Sequence, residues 1–142
     1  MENKKIEPII VLGSGIVAGL TSKMLTNKGF DVIRVINKNT KALNKIFAIA
    51  PSSMTWFKNI GLSEFLINPN YPIKKIDIYY GREQESLRFD SKDSYKDALA
   101  FMVKEKDLSE AIDLSLNKSA IKFLYKNEII FENHEDYIKI TN

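Results

Sequence analysis

The stretch Ile9-Ile10-Val11-Leu12-Gly13-Ser14-Gly15-Ile16-Val17-Ala18-Gly19-Leu20 constrains this chain more than any other. Four apolar residues in a row suit a strand buried on both faces, as in a parallel sheet. Gly13 is placed to take a tight turn that a side chain would obstruct. Gly15, lacking a Cβ, lets the backbone come close to a ligand, and Ala18 and Gly19 are small enough for a following helix to lie against the strand. The free N–H groups and dipole at that helix start suit a pyrophosphate. With Ala18 in the third small position the pattern is G-x-G-x-x-A, a variant of the dinucleotide-binding fingerprint. The pyrophosphate contacts expected from it are Gly13, Ser14, Gly15, Ile16, Val17 and Ala18.

Such a glycine pattern carries weight only between a strand and a helix. Leu20, Met24 and Leu25 recur at helical spacing, and Lys28-Gly29 reads as a basic last turn with a C-cap. Phe30-Asp31-Val32-Ile33-Arg34-Val35-Ile36 then reads as a second strand, which completes a βαβ unit. At the end of that strand the fingerprint calls for an acidic residue that accepts hydrogen bonds from the adenosine ribose. Asn37 stands there, with Asn39 nearby and no carboxylate until Glu64. An amide oxygen still accepts a hydrogen bond, without the charge that would strengthen it.

A chain of 142 residues is domain-sized, and its 44% hydrophobic and 27% charged content is that of a soluble globular protein. The absence of cysteine excludes disulfides and thiolate metal sites. The one histidine, His134, lies in a polar Glu-Asn-His-Glu-Asp turn and reads as a surface residue. Lys4 and Lys5 before an apolar run mimic a signal peptide, but glycines break the run and no cleavage-type end follows. No stretch is long enough to span a membrane, so a cytoplasmic location is expected. The net charge of +3 is spread over single lysines interleaved with acids, without a basic stripe; no nucleic-acid partner is expected.

Beyond a polar connection from Asn37 to Ile46, the segment from Phe47 to Met54 introduces a helix, with Ser52 or Ser53 as N-cap and Met54, Phe57 and Ile60 on one face. Gly61 ends it; Leu62 and Leu66 continue the apolar patch, and Asn68-Pro69-Asn70-Tyr71-Pro72 is a loop. Ile73 to Tyr80 alternates as a half-buried strand that Gly81, Arg82 and Glu83 turn toward Leu87-Arg88-Phe89-Asp90. Ala98 to Val103 is an apolar strand, and Asp107 is placed to N-cap a helix carrying Leu108, Ala111, Ile112 and Leu116. Three short strands, Ile121 to Tyr125, Ile129 to Glu132 and Tyr137 to Ile140, with turns at Lys126-Asn127 and Asn133 to Asp136, read as a β-meander.

Taken in this order, the segments resemble the N-terminal third of a flavin-dependent aromatic hydroxylase of the ubiquinone-biosynthesis type, a relative of para-hydroxybenzoate hydroxylase. The resemblance is carried by Val11 to Thr21, Lys28-Gly29-Phe30-Asp31-Val32, Ala48-Ile49-Ala50-Pro51-Ser52-Ser53, Ile60-Gly61-Leu62, Pro72-Ile73 to Ile78, Leu87 to Asp90, Phe101 to Glu105, and Asp107-Leu108 with Ala111-Ile112. It implies an α/β fold: a Rossmann-like FAD-binding βαβ unit and the start of a β-rich substrate domain, truncated relative to the family. The implied divisions are 1–68 for the FAD-binding βαβ and following helix, 69–104 for partial substrate-domain strands, and 105–142 for a return to the FAD-binding domain through a helix and the β-meander. It also implies FAD at the glycine turn, NAD(P)H as reductant in the full-length family and a prenylated phenol as substrate. Because the flavin carries the hard chemistry, no catalytic side chain is assigned.

Three departures bear on the cofactor. The acidic ribose ligand is Asn37; the family's arginine before the Ala-Ile pair is Lys45; and the family's Asp-Leu-Arg segment, whose arginine lies at the flavin, reads Asp107-Leu108-Ser109. Lysine lacks arginine's planar fork and serine has no charge. The sequence ends at Asn142, before the family's Asp-Gly and Gly-Asp motifs. FAD binding is therefore expected to be weakened or lost. Two alternatives follow: the flavin-binding part of a polyprenyl-phenol hydroxylase completed by a separate polypeptide, with peripheral membrane association open, or a catalytically silent remnant. A stand-alone nicotinamide module is disfavoured because it leaves Ala48 to Ser53 without a role.

Overall fold

The computed structural model describes residues 7–37, 44–62, 71–81, 87–94, 96–119, 121–125, 130–135 and 138–141. The chain divides into two compact units, one formed by Met1–Lys41 with Ile112–Asn142 and the other by Ala42–Ala111. The first is called here the glycine-turn unit and the second the β-rich unit.

In the glycine-turn unit, β1 (Ile9–Leu12), α1 (Ile16–Asn27) and β2 (Val32–Ile36) form the expected βαβ unit, with β1 and β2 parallel and Leu12 opposite Val35. A later strand, β8 (Lys122–Tyr125), adds to the other side of β2, also parallel, with Arg34 opposite Phe123 and Ile36 opposite Tyr125. The sheet order β1-β2-β8 puts β2 in the centre. Position explains burial: Val32, Arg34 and Val35 of β2 are buried, whereas Ile10 and Leu12 of edge strand β1 are exposed. The expectation that β1 is buried on both faces is therefore corrected, because among the described residues one of its faces stays open.

Helix α1 is closed by a Schellman motif. The Gly29 N–H donates to the Thr26 carbonyl and the Phe30 N–H to the Leu25 carbonyl, with Gly29 at φ 82°, a conformation that favours glycine. Its buried positions are Gly19 and Ser22, the Ser22 hydroxyl donating to the Ala18 carbonyl at 2.8 Å. The larger Leu20, Met24 and Leu25, expected to form its packed face, are at most half-buried. A helix that packs through small residues can approach its neighbours closely.

In the β-rich unit, β3 (Ile46–Ile49) pairs antiparallel with β7 (Ala100–Lys104), and β4 (Tyr71–Ile73) pairs with the other side of β7. A separate hairpin joins β5 (Lys75–Ile78) and β6 (Leu87–Asp90), Ile76 facing Phe89 and Ile78 facing Leu87. The strands of this unit thus form two sheets, and β3 is a strand that alternation over four residues did not mark. Helix α2 runs Pro51–Asn59 and begins at Ala50 without a side-chain cap; Ser52 and Ser53 lie inside it, because Pro51 with its preset φ takes the first helical position. It too ends in a Schellman motif, the Leu62 N–H donating to the Phe57 carbonyl around Gly61 at φ 82°. Phe57, Ile60 and Leu62 are buried with Ala98, Ala100 and Val103.

The unit boundary falls within α3 (Glu105–Asn117), which starts two residues before the expected cap, so Asp107 sits in its first turn. Leu108, Ala111, Ile112, Ser115 and Leu116, all buried, recur at helical spacing. The tail is not a three-stranded meander: β8 joins the parallel sheet, while β9 (Ile130–Asn133) and β10 (Ile138–Thr141) form their own antiparallel pair. Short apolar strands have no intrinsic partner, and a buried central strand offers β8 a better one. Leu66, the Asn68-Pro69-Asn70 loop, Asn39, Glu64 and the turns at Arg82-Glu83 and Lys126-Asn127 lie outside the described residues.

Candidate nucleotide site

The turn between β1 and α1 has two glycines with different reasons to be glycine. Gly13 has φ 142°, and a Cβ on it would meet the Ala18 Cβ at 3.0 Å, so both backbone and space require it. Gly15 is the N-cap of α1 at φ −82° and ψ 174°, an extended conformation open to any residue, and a Cβ there would meet nothing within 4 Å. The space beside Gly15 is open. The N–H groups of Ile16, Val17 and Ala18 have no intrahelical acceptor, and no side chain caps this helix start. An anionic group can therefore reach a ring of unused donors, which is what a pyrophosphate requires. Gly19 is a packing glycine: a Cβ would fall 2.6 Å from Ile112 Cγ2 and 3.4 Å from the Arg34 guanidinium.

Arg34 explains how the turn is held. It is 3% exposed in the middle of the central strand. Its Nε donates to the Gly13 carbonyl at 3.3 Å and its Nη2 to the Gly15 carbonyl at 3.4 Å. Its Nη1 meets Oδ1 of Asp113, on α3, at 3.2 Å. A buried cation persists only with such partners. The guanidinium thus satisfies two carbonyls of the turn, while the Gly13 N–H is taken by the Val35 carbonyl at 2.9 Å. Nothing in the glycine fingerprint signals this residue; the only hint is an arginine inside an apolar strand.

The turn is tied to the end of β2 as well. The Asn37 backbone N–H donates to Ser14 Oγ at 2.8 Å. Ser14, Ile36 and Asn37 line one cavity of about 340 Å3, whose other walls are Arg34, Asp113 and Asn117, with the aromatic side chains of Phe123 and Tyr125 on β8. The cavity lies where a nucleotide is held in open parallel sheets, beyond the carboxyl ends of the strands. Of the residues proposed from sequence, Gly13, Ser14, Gly15, Ile16, Val17, Ala18 and Asn37 all belong to the glycine-turn unit. Lys45 and Ser109 belong to the β-rich unit. There Lys45 lines a cavity of about 360 Å3 with Ile46 and Lys104, and its carbonyl accepts the Glu105 N–H at 2.9 Å; Ser109 is half-buried on α3. Sequence reasoning missed Arg34, Asp113, Asn117, Phe123 and Tyr125, because strand β8 and helix α3 reach the site only through the fold.

The residues at the turn fit the pyrophosphate of a dinucleotide on this geometry, and the end of β2 offers an amide in place of a ribose-binding carboxylate. Among the described residues no group of three or more metal-ligating side chains occurs, and no helix is long and apolar enough to cross a membrane.

This arrangement is a flavin-monooxygenase-like α/β fold, of which the chain carries a part. Two solved structures illustrate it. The p-nitrophenol 4-monooxygenase PnpA from Pseudomonas putida DLL-E4 matches 95% of this chain with 18% identity and a TM-score of 0.68. PqsL of P. aeruginosa, a probable FAD-dependent monooxygenase solved also in complex with 2-aminobenzoylacetate, matches 94% with 16% identity in both structures, with TM-scores of 0.68 and, for the complex, 0.72. At such identities the likeness is one of fold. The chain spans 35% of the length of PnpA and 38% of that of PqsL. No family model matches the chain, and no curated protein does.

Proposed function

We propose that this chain is the FAD-binding part of a monooxygenase that hydroxylates a polyprenylated phenol in ubiquinone biosynthesis, with a separate polypeptide supplying the remainder of the enzyme. The observation that carries the proposal is the uncapped start of α1 beside Gly15, a glycine that neither its own backbone angles nor its neighbours require. Bound there, FAD reduced by NAD(P)H supplies the oxygenation chemistry. The chain's own residues would bind and orient: Gly15, Ile16 and Val17 offer N–H donors to the pyrophosphate, Ser14 and Asn37 would border the ribose, and the sequence resemblance assigns Lys45 and Ser109 to the flavin. The phenol and the nicotinamide rest on the sequence resemblance.

Asn37, Lys45 and Ser109 each replace a charged or forked contact. A lost charged hydrogen bond costs about 1.5–3 kcal/mol, so with charge retained at Lys45 the shortfall is about 3–6 kcal/mol. That is roughly two to four decades in affinity. The chain is expected to bind FAD in the micromolar range and to purify without colour. The second reading, a silent remnant that no longer holds flavin, is favoured by the same observation at the end of β2, where an amide stands for an acid.

Fluorescence titration of FAD separates them. Saturable binding by the purified chain, abolished in Gly15→Val, supports the flavin-binding part. Because the Gly15 Cβ position is open, that variant folds, and its loss of binding reports the ligand rather than the protein. An identical FAD affinity in Gly15→Val overturns the placement, and no saturable binding by the unmodified chain leaves the remnant.

A further inference from the structure

The carboxylate absent from the end of β2 has a counterpart in the lining of the same cavity. Asp113 lies on α3, remote from the fingerprint in sequence, and lines the cavity with Ser14, Ile36 and Asn37. Its side chain is 62% exposed, so it faces the cavity rather than the core. Arg34, only 4% exposed in its side chain, holds Oδ1 at 3.2 Å, and Oδ2 has no protein partner among the described residues. A charged, oriented acceptor with a free oxygen is what a vicinal diol needs, since both its hydroxyls donate. Asn117, one turn along α3, lines the cavity beside it, and Phe123 and Tyr125 of β8 provide aromatic surface for a base.

We propose that Asp113 is the ribose-diol acceptor of this site, replacing from α3 the acid that the fingerprint normally places at the end of β2, with Arg34 as its positioning residue. The proposal rests on the reading of the glycine turn as a nucleotide site, and it would restore the ribose part of the affinity shortfall counted above at Asn37. It makes the adenosine diphosphate half of the ligand the part this chain recognises, by a ribose contact that no glycine-pattern reading can find. Arg34 then has two tasks, bracing the turn's carbonyls and fixing the carboxylate.

The test compares ADP with 2′,3′-dideoxy-ADP, which lacks the diol, by calorimetry on the full chain and on Asp113→Asn. The unmodified chain should prefer ADP by about ten- to a hundredfold, the loss of one charged hydrogen bond. Asp113→Asn should bind both nucleotides alike, at the affinity the unmodified chain shows for the dideoxy form. Circular dichroism checks that the variant is folded, and Asp113→Ser makes the same test if the amide disturbs Arg34. Retention of the diol preference in both variants overturns the assignment while leaving the nucleotide site standing. Equal binding of ADP and 2′,3′-dideoxy-ADP by the unmodified chain overturns it too. Binding of neither nucleotide removes the glycine-turn reading and this proposal with it.

Discussion

Arg34 in β2 and Arg88 in β6 occupy the same local pattern, an arginine between apolar residues on a short strand, yet one is 3% exposed and the other's side chain is 53% exposed. Arg34 projects from the central strand β2 onto the face covered by α1, where Gly19 lies beside its guanidinium, and it is met by carbonyls of Gly13 and Gly15 and by Asp113. Hairpin β5–β6 has only two strands. It sorts its side chains by face: Ile76, Ile78, Leu87 and Phe89 lie on one, all exposed, while the ion pairs Lys75–Asp90 and Asp77–Arg88 lie on the other. An arginine in a wet ladder needs one opposite charge. An arginine in a dry one needs a built cage, and here that cage is the underside of the candidate site.

The largest effect that bears on this contrast is the loss of a buried apolar side chain. Leu116→Ala, at a residue with 0% exposure in the glycine-turn unit, should cost about 2–5 kcal/mol in urea unfolding, whereas Phe89→Ala in the hairpin should cost less than about 1 kcal/mol. Equal losses would mean that the hairpin face is covered in solution. Next come the arginines themselves. Arg34→Ala should cost about 2–4 kcal/mol by stranding the Gly13 carbonyl and emptying the space of a buried side chain, the Gly15 carbonyl keeping the Gly19 N–H, while Arg88→Ala should cost about 1 kcal/mol or less, as surface ion pairs do. Similar values for the two would remove the distinction between cage and ladder.

A smaller effect separates the glycines. Gly19→Ala drives a Cβ to 2.6 Å from Ile112 and should cost about 1–3 kcal/mol. Gly15→Val meets open space and should cost about 1 kcal/mol or less, so thermal melts should rank them in that order. The smallest effect is one of pH. Asp90 has its carboxyl held below its ordinary value of 3.8, first by the Lys92 backbone N–H and then by Lys75. A lowered carboxylate pKa contributes stability above the ordinary value and loses it as pH falls through the lowered one. The Lys92 amide resonance should therefore titrate with a midpoint below 3.8. A midpoint at or above that value would show that the hairpin's charged face does not hold in solution.

Much of the fold was legible from local pattern. The strand–turn–helix–strand of the glycine-turn unit, the Gly29 and Gly61 helix ends and the helical stripe of Leu108, Ala111, Ile112 and Leu116 each follow from period and conformational preference within about ten residues. What local pattern missed is informative in the same way. Pro51 outcompeted Ser52 and Ser53 for the helix start because its ring is already shaped for the first helical position. Strand β3 was hidden because four residues hold too little alternation to separate strand from helix entry. Strand β8 reads from sequence as part of a meander because its neighbours in the chain are the only partners that local pattern shows.

Sequence by itself determined the βαβ unit and the glycine turn, since the need for φ 142° at Gly13 and for a small residue at Ala18 is encoded within six positions. Tertiary structure alone decided what surrounds that turn. Asp113, Asn117, Phe123 and Tyr125 arrive at the cavity from elements about a hundred residues further along the chain. The burial of Arg34 depends on α1 and α3 covering the face of β2 from which it projects, with Gly19 and Asp113 beside its guanidinium. Backbone conformation is set by neighbours in the chain, whereas the partners of a buried charge are set by which elements pack together, and that is a property of the whole fold.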